Sequence, residues 1–267
     1  MLRDITIGQY FPGNSVIHRL DPRFKIVITI IFIVMLFTGK SMLCLAIGAL
    51  YTLLAVVLSK IKPKMFWKSI KPILPFLVLT AAINLLLISS GNVVWEWHFI
   101  KITDESLNIS VFMIARIVLL IIGSSLLTYT TSPITLTDAI ERLLSPLKKL
   151  KFPVHELAMM MSIALRFIPT LIEETDKIMS AQKARGAEID TGSFTTRAKN
   201  LISILVPLFI SAFRRADELA TAMECRCYHG GEGRTRLRQL KSAPRDYIAL
   251  AVTVIFLAGV IVLGKIF

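Results

Sequence analysis

Charge-free runs and charged linkers alternate along this chain. Residues 26–39, 42–58, 72–95 and 247–264 contain no Asp, Glu, Lys or Arg, and residues 106–137 contain one, Arg116. About 20 apolar residues in a helix cross a hydrocarbon core of roughly 30 Å. The pattern therefore predicts transmembrane helices at about 24–41, 42–59, 72–92 and 108–130, and a last one at 244–267. The first run is the shortest, and its span needs the flanking Phe24 and Lys25 and a snorkelling lysine. It does not read as a cleavable leader, because Lys40 and a second span follow it rather than a small-residue cleavage site.

Residues 131–245 follow a different rule. Apolar positions recur at i, i+3, i+4 and i+7 through two long stretches, about 155–185 and 196–227. In the first, Leu157, Met160, Met161, Ala164, Leu165, Ile168, Leu171 and Ile172 share one face, and Glu173, Glu174, Asp176, Lys177 and Lys183 oppose or follow it. A shorter stretch, 134–150, starts after Pro133 with Thr135 or Thr137 as candidate N-cap and stops near Pro146. These segments are too charged to read as spans and are expected at the membrane surface or against protein. The expected fold is all-α: a polytopic membrane protein of about five transmembrane helices, with long amphipathic helices inserted before the last. It divides into a membrane part at 1–132, a helical module at 133–243 and a final span at 244–267.

Composition narrows the class. With 54% hydrophobic residues, 18% charged and a mean hydropathy of +0.67, the 267 residues do not describe a soluble domain. The net charge of +13 belongs to loops that meet anionic headgroups, not to a nucleic-acid surface. Arg19, Arg23 and Lys25 precede the first span, and Lys60, Lys62, Lys64, Lys68 and Lys71 follow the second. The linker after the third is poor in basic residues, with Glu96, Asp104 and Glu105 against Lys101 and with Trp95 and Trp97 as interface anchors. Arg236, Arg238, Lys241 and Arg245 precede the last span. The alternation places the N-terminus and the amphipathic module in the cytoplasm and the C-terminus outside. Three cysteines, one of them (Cys44) mid-span, make no disulfide framework.

The two long stretches echo each other at a constant offset of 41. Asp176, Ala181 and Ala184-Arg185-Gly186 correspond to Asp217, Ala222 and Cys225-Arg226-Cys227. Each arginine stands where a helix should end, before turn-prone sequence: Asp190-Thr191-Gly192 in one case, Gly230-Gly231-Glu232-Gly233 in the other. A single arginine there is read most simply as a cation complementing the helix dipole, with Gly186 as C′ cap. Its repetition points to two plugs for two similar sockets. A guanidinium suits that task because its planar fork keeps its charge when desolvated.

Other chemistry is weighed and set aside. Gly39-Lys40-Ser41 ends like a P-loop, but Val34 stands where its first glycine belongs, so the chain has no nucleotide site of its own. Cys225, Cys227 and His229 lack the fourth ligand of structural zinc, and no metal site is expected. A membrane enzyme using Glu173 and Glu174 lacks a ligand set; a self-contained secondary transporter would carry its repeat in the spans rather than in the charged module. Arg116 is expected to face protein, paired with Asn84 or a backbone carbonyl. Met159, Met160 and Met161 are read as adaptable packing, and Pro72, Pro75, Pro169 and Pro207 as helix kinks or bounds.

Five ordered blocks carry a family resemblance. They are Pro12-Gly13-Asn14-Ser15 through His18-Arg19-Leu20-Asp21-Pro22-Arg23-Phe24-Lys25; Thr130-Thr131-Ser132-Pro133 with Leu143 to Leu147; Leu165-Arg166-Phe167-Ile168-Pro169 with Glu173; Ala181 to Gly186; and Ala222 to Tyr228. In these, nearly the whole chain resembles the transmembrane T component of energy-coupling factor (ECF) transporters, the family that includes cobalt-permease membrane subunits. The resemblance implies a non-catalytic subunit of the bacterial cell membrane, joining two ABC-type ATPases to a small membrane-embedded S component that binds a vitamin, another micronutrient or a metal ion. ATP and Mg would be bound by the ATPases, with no cofactor in this chain. The family's Ala-Arg-Gly docking motifs carry over to Ala184, Arg185 and Gly186 and to Cys225, Arg226 and Cys227. The second departs from the pattern by cysteine on both sides of its arginine, which favours two unlike ATPases. Met160, Met161, Ala164, Leu165 and Ile168 would pack the S component.

Overall fold

The computed structural model describes residues 10–39, 41–87, 93–97, 100–150, 152–186, 194–230 and 240–266. The helices among them are α1 (Pro22–Thr38), α2 (Met42–Ser59), α3 (Pro63–Ile70), α4 (Leu74–Leu87), α5 (Asp104–Thr130), α6 (Pro133–Leu144), α7 (Val154–Ala184), α8 (Phe194–Glu224) and α9 (Pro244–Ile266). Among the described residues, five helical stretches are long and apolar enough to cross a membrane: Met42–Ser59, Pro63–Leu86, Asp104–Thr130, Val154–Ala184 and Pro244–Lys265.

The all-α reading holds; by length and composition alone, the five stretches include α7 and leave out α1. α1 has 17 residues, about 25 Å of helix, at the short end of the lengths that cross a core of roughly 30 Å. α7 qualifies by length and composition although its charges argued against it, because they gather toward its C-terminal half. Helix precedes the apolar run expected from residue 72: Pro72 sits in a single 3-10 turn, Lys71–Ile73, through which the helical path continues from α3 into α4. Pro169 and Pro207 lie inside α7 and α8 without ending them. α6 starts at Pro133, so neither Thr135 nor Thr137 is its N-cap; the Thr137 hydroxyl donates back to the Pro133 carbonyl at 3.0 Å. One element was not anticipated, a two-stranded antiparallel hairpin of β1 (Val93–Trp97) and β2 (Ile100–Thr103). The anchoring role of Trp95 and Trp97 rests on side chains outside the described residues, as do Lys40, Asp190-Thr191-Gly192 and Gly231-Glu232-Gly233.

The described residues form two compact units, one of those within 9–132 and 240–267 and one of those within 133–239. In the first, α1 packs on α9, α5 and α2, and α3 and α4 pack on α5. Its core is Phe32, Met35, Leu36, Cys44, Leu119 and Val260. Phe32 stacks on Tyr51 at 5.6 Å and reaches the helix surface left bare by Gly123, where an added Cβ would collide with the ring. Large apolar residues such as Leu53, Val57, Val78, Leu79, Ile255 and Val262 point outward, as lipid-facing positions require.

Both cations inside this unit serve helix ends. Lys25 is buried, and its ammonium donates to the Thr130 carbonyl (2.9 Å), the Thr131 hydroxyl (3.3 Å) and the His18 carbonyl (3.3 Å). Arg116 donates to the carbonyl of Gly39, the C-cap of α1, at 2.6 Å, with Phe112 4.4 Å from its guanidinium carbon. It thereby satisfies a helix-end carbonyl at the negative pole of α1. Of the two partners expected for it, the backbone carbonyl is the one found; the Asn84 amide turns to the Met113 sulfur instead.

Candidate functional site

The second unit contains α6, α7 and α8. α6 is fastened to α7 by His155 and the buried Glu141, whose Nδ1 and Oε1 lie 3.2 Å apart. α7 and α8, each of 31 residues and about 46 Å long, pack antiparallel. Two contacts fix the direction: the Arg215 guanidinium donates to Glu174 Oε2 at 2.6 Å, and the Gln182 amide donates to the Ser203 carbonyl at 3.3 Å.

The ion pair has a property that sequence inspection missed. Glu174 and Arg215 stand at the same offset of 41 that relates Arg185 to Arg226. Equivalent positions of two antiparallel copies meet only at their local two-fold axis. The pair therefore marks a pseudo-two-fold centre. From 174 to 185 and from 215 to 226 the chain runs eleven residues, about 16 Å of helix in each direction. The two arginines thus sit at opposite ends of the helix pair, equally far from its centre.

Each tip is built by the same backbone device. α7 ends at Ala184, Arg185 is its C-cap, and Gly186 follows at φ +87° with its N–H bonded to the Lys183 carbonyl at 3.0 Å. α8 ends at Glu224. Beyond it the Cys227 N–H bonds to the Glu224 carbonyl (2.8 Å) and the Tyr228 N–H to the Met223 carbonyl (3.1 Å), with Cys227 at φ +55°. The 6→1 and 5→2 bonds are those of a Schellman motif, in which the residue after the C-cap takes the left-handed conformation. Gly186 and Cys227 are the corresponding residues. The flanking residue of the motif is therefore a backbone requirement that glycine meets freely and cysteine meets under strain. Gly186→Ala is expected to destabilise its cap by about 1 kcal/mol, and Cys227→Gly to stabilise its own by about 0.5–1 kcal/mol. Opposite shifts of the thermal unfolding midpoint in detergent check both signs.

Arg185, Arg226, Ala184, Cys225 and Cys227 are all exposed. Neither arginine side chain has a hydrogen-bond or ion-pair partner among the described residues. The apolar residues assigned to α7 are also open: Met160, Met161, Ala164 and Ile168 are exposed and Leu165 is half-buried. α8 carries a broader stripe that was not singled out, comprising Ile202, Leu205, Val206, Phe209, Ile210 and Phe213, with Phe213 66% exposed. Its spacing, four then three then four residues from Ile202 to Phe213, is legible as helical periodicity.

Glu174 is engaged with Arg215 and Glu173 faces outward, so they do not form a paired-carboxylate site. Cys225 and Cys227 are exposed free thiols, and no three His, Cys, Asp or Glu side chains among the described residues come together as metal ligands.

Comparison with known proteins points the same way as this geometry. The family model CbiQ, described as cobalt transport protein, matches residues 13–237. Proteins named energy-coupling factor transporter transmembrane protein EcfT align along the full length. The one from Ruminiclostridium cellulolyticum is 54% identical over all of both chains. That from Clostridium kluyveri is 54% identical over 93% of each, and that from Bacillus subtilis 45% identical over 98% of each.

Proposed function

Since the chain belongs to the CbiQ family of cobalt transport proteins and is a non-catalytic, multi-pass transmembrane component of an energy-coupling factor transporter, we propose that it is the mechanical link of that transporter. In this reading Arg185 and Arg226 each plug a groove on one of two ABC-type ATPases. ATP and Mg act in those partners. ATP-driven closure of the ATPases draws the two tips together, and the rigid length of α7 and α8 carries the motion to an S component seated on their apolar faces. That component supplies the substrate, a vitamin or other micronutrient, a metal ion among them.

The observation that carries this reading is the antiparallel, pseudo-symmetric helix pair with an exposed arginine, unpartnered among the described residues, at equal distance on either side. Two equal sockets 16 Å of helix from a shared centre suit a two-fold ATPase pair. The unlike flanks, Ala and Gly against Cys and Cys, favour two different ATPases. The open stripes on α7 and α8 favour an apolar partner, with the methionines able to repack against more than one shape. The alternation of basic and poor loops favours a cytoplasmic N-terminus and cytoplasmic coupling helices.

Affinity purification of the full chain from its native membrane, followed by mass spectrometry, tests this. Two ABC-type ATPases and a small apolar membrane protein are expected to co-purify. A chain that purifies alone, and moves a substrate in proteoliposomes without ATP, would overturn the reading.

A further inference from the structure

The membrane unit holds a groove of about 390 Å³ where the start of α1, the end of α2, the end of α5 and the start of α9 converge. On α9 it is lined by Arg245, Ile248, Ala249 and Val252, and on α2 by Tyr51, Leu54, Ala55 and Leu58. Both sets follow i, i+3, i+4, i+7, so one stripe of each helix forms a wall. Seven residues of helix make the groove roughly 10 Å deep, about two thirds of the ~15 Å half-thickness of a hydrocarbon core. Val16 and Leu20 of the preceding turn line its mouth.

The charges at that mouth are unevenly committed. All three hydrogens of the Lys25 ammonium are used inside the protein. Arg23 donates to the Leu240 carbonyl at 2.8 Å and lies 3.7 Å from the Asp21 carboxylate. Asp246 accepts from the backbone of Asp21 and Ala243. Arg245 alone of these is exposed and has no partner among the described residues. An apolar slot of leaflet depth with a free guanidinium at its rim matches an amphiphile with a chain below and an anion above.

We propose that this groove binds one anionic phospholipid, with an acyl chain between α1, α2 and α9 and its phosphate on Arg245. Bound there, the lipid fills a void that the helices leave among themselves and ties the start of α9 to the end of α2.

Native mass spectrometry of the purified full chain tests this, with dioleoyl phosphatidylglycerol and dioleoyl phosphatidylcholine added separately. The unmodified chain is expected to retain one phosphatidylglycerol in preference to phosphatidylcholine. Arg245→Gln is expected to lower that preference roughly fivefold. Ala55→Phe, which places a ring in the slot, is expected to lower retention of both lipids. Equal retention of the two lipids by the unmodified chain overturns the proposal. So does an undiminished preference in Arg245→Gln, or unchanged retention in Ala55→Phe. Should Ala55→Phe fail to fold, the exposed Arg245→Gln variant decides alone.

Discussion

Reversing the charge at either tip, Arg185→Glu or Arg226→Glu, is expected to separate the chain from its ATPases and abolish uptake while leaving the chain folded. Each arginine is exposed and unpartnered among the described residues, so its removal breaks no contact there. The intrinsic effect on the helix is small. A carboxylate in place of a cation at a helix C-terminus costs about 0.3–1 kcal/mol. At an interface the same change leaves a desolvated socket facing a like charge or none. Losing one partner of a buried charge pair costs roughly 2–5 kcal/mol, about 30- to 5,000-fold in affinity. The difference between those two magnitudes separates docking from a local helix-cap role. Arg185→Lys and Arg226→Lys keep the charge but lose the fork, and are expected to fall between wild type and reversal. Co-purification, uptake and thermal unfolding, read on the same preparations, check all three expectations. Intact assembly and transport in both reversals contradict the account.

The second large effect is on stability. Asp246→Ala is expected to destabilise the membrane unit by about 3–5 kcal/mol. Asp246 is 1% exposed and accepts two backbone bonds, from the Asp21 N–H at 2.8 Å and the Ala243 N–H at 2.7 Å. Asp21 is itself the N-cap of α1, accepting from the Arg23 N–H at 3.0 Å. One carboxylate therefore closes the start of α9 and holds the cap of α1, joining helices 225 residues apart in the chain. Alanine leaves the buried Asp21 N–H and the part-buried Ala243 N–H without this acceptor and removes a negative charge near Lys25. Asp246→Asn keeps one acceptor oxygen and is expected to lose about half as much. Thermal unfolding of the purified chain in detergent checks the order Asp, Asn, Ala.

What was legible in the sequence was whatever repeats locally. Charge-free runs of membrane length marked the spans, and the 3.6-residue period marked α7 and α8 to within two or three residues of their ends. The offset of 41 exposed the duplicated tips, because both arginines and both Asp residues keep their places. Interactions between distant segments were not legible. Nothing local to Asp246 or Asp21 shows that they meet, and nothing local to Arg116 shows that its carbonyl is that of Gly39. The pseudo-two-fold centre at Glu174 and Arg215 lay hidden because its two positions carry opposite charges, so the echo that found the arginines passed over it. Cys227 was read as a departure from a glycine pattern; the structure shows that the shared element is the left-handed backbone and not the side chain.

The central claim, that the two tips dock two ATPases, is tested most directly by photo-crosslinking from positions 185 and 226. A photoreactive phenylalanine analogue is placed at one position at a time in the full chain, and native membranes are irradiated. The account predicts an adduct with an ABC-type ATPase from each position, with a different ATPase at each. Adducts with lipid only, or with the S component from both positions, would contradict it.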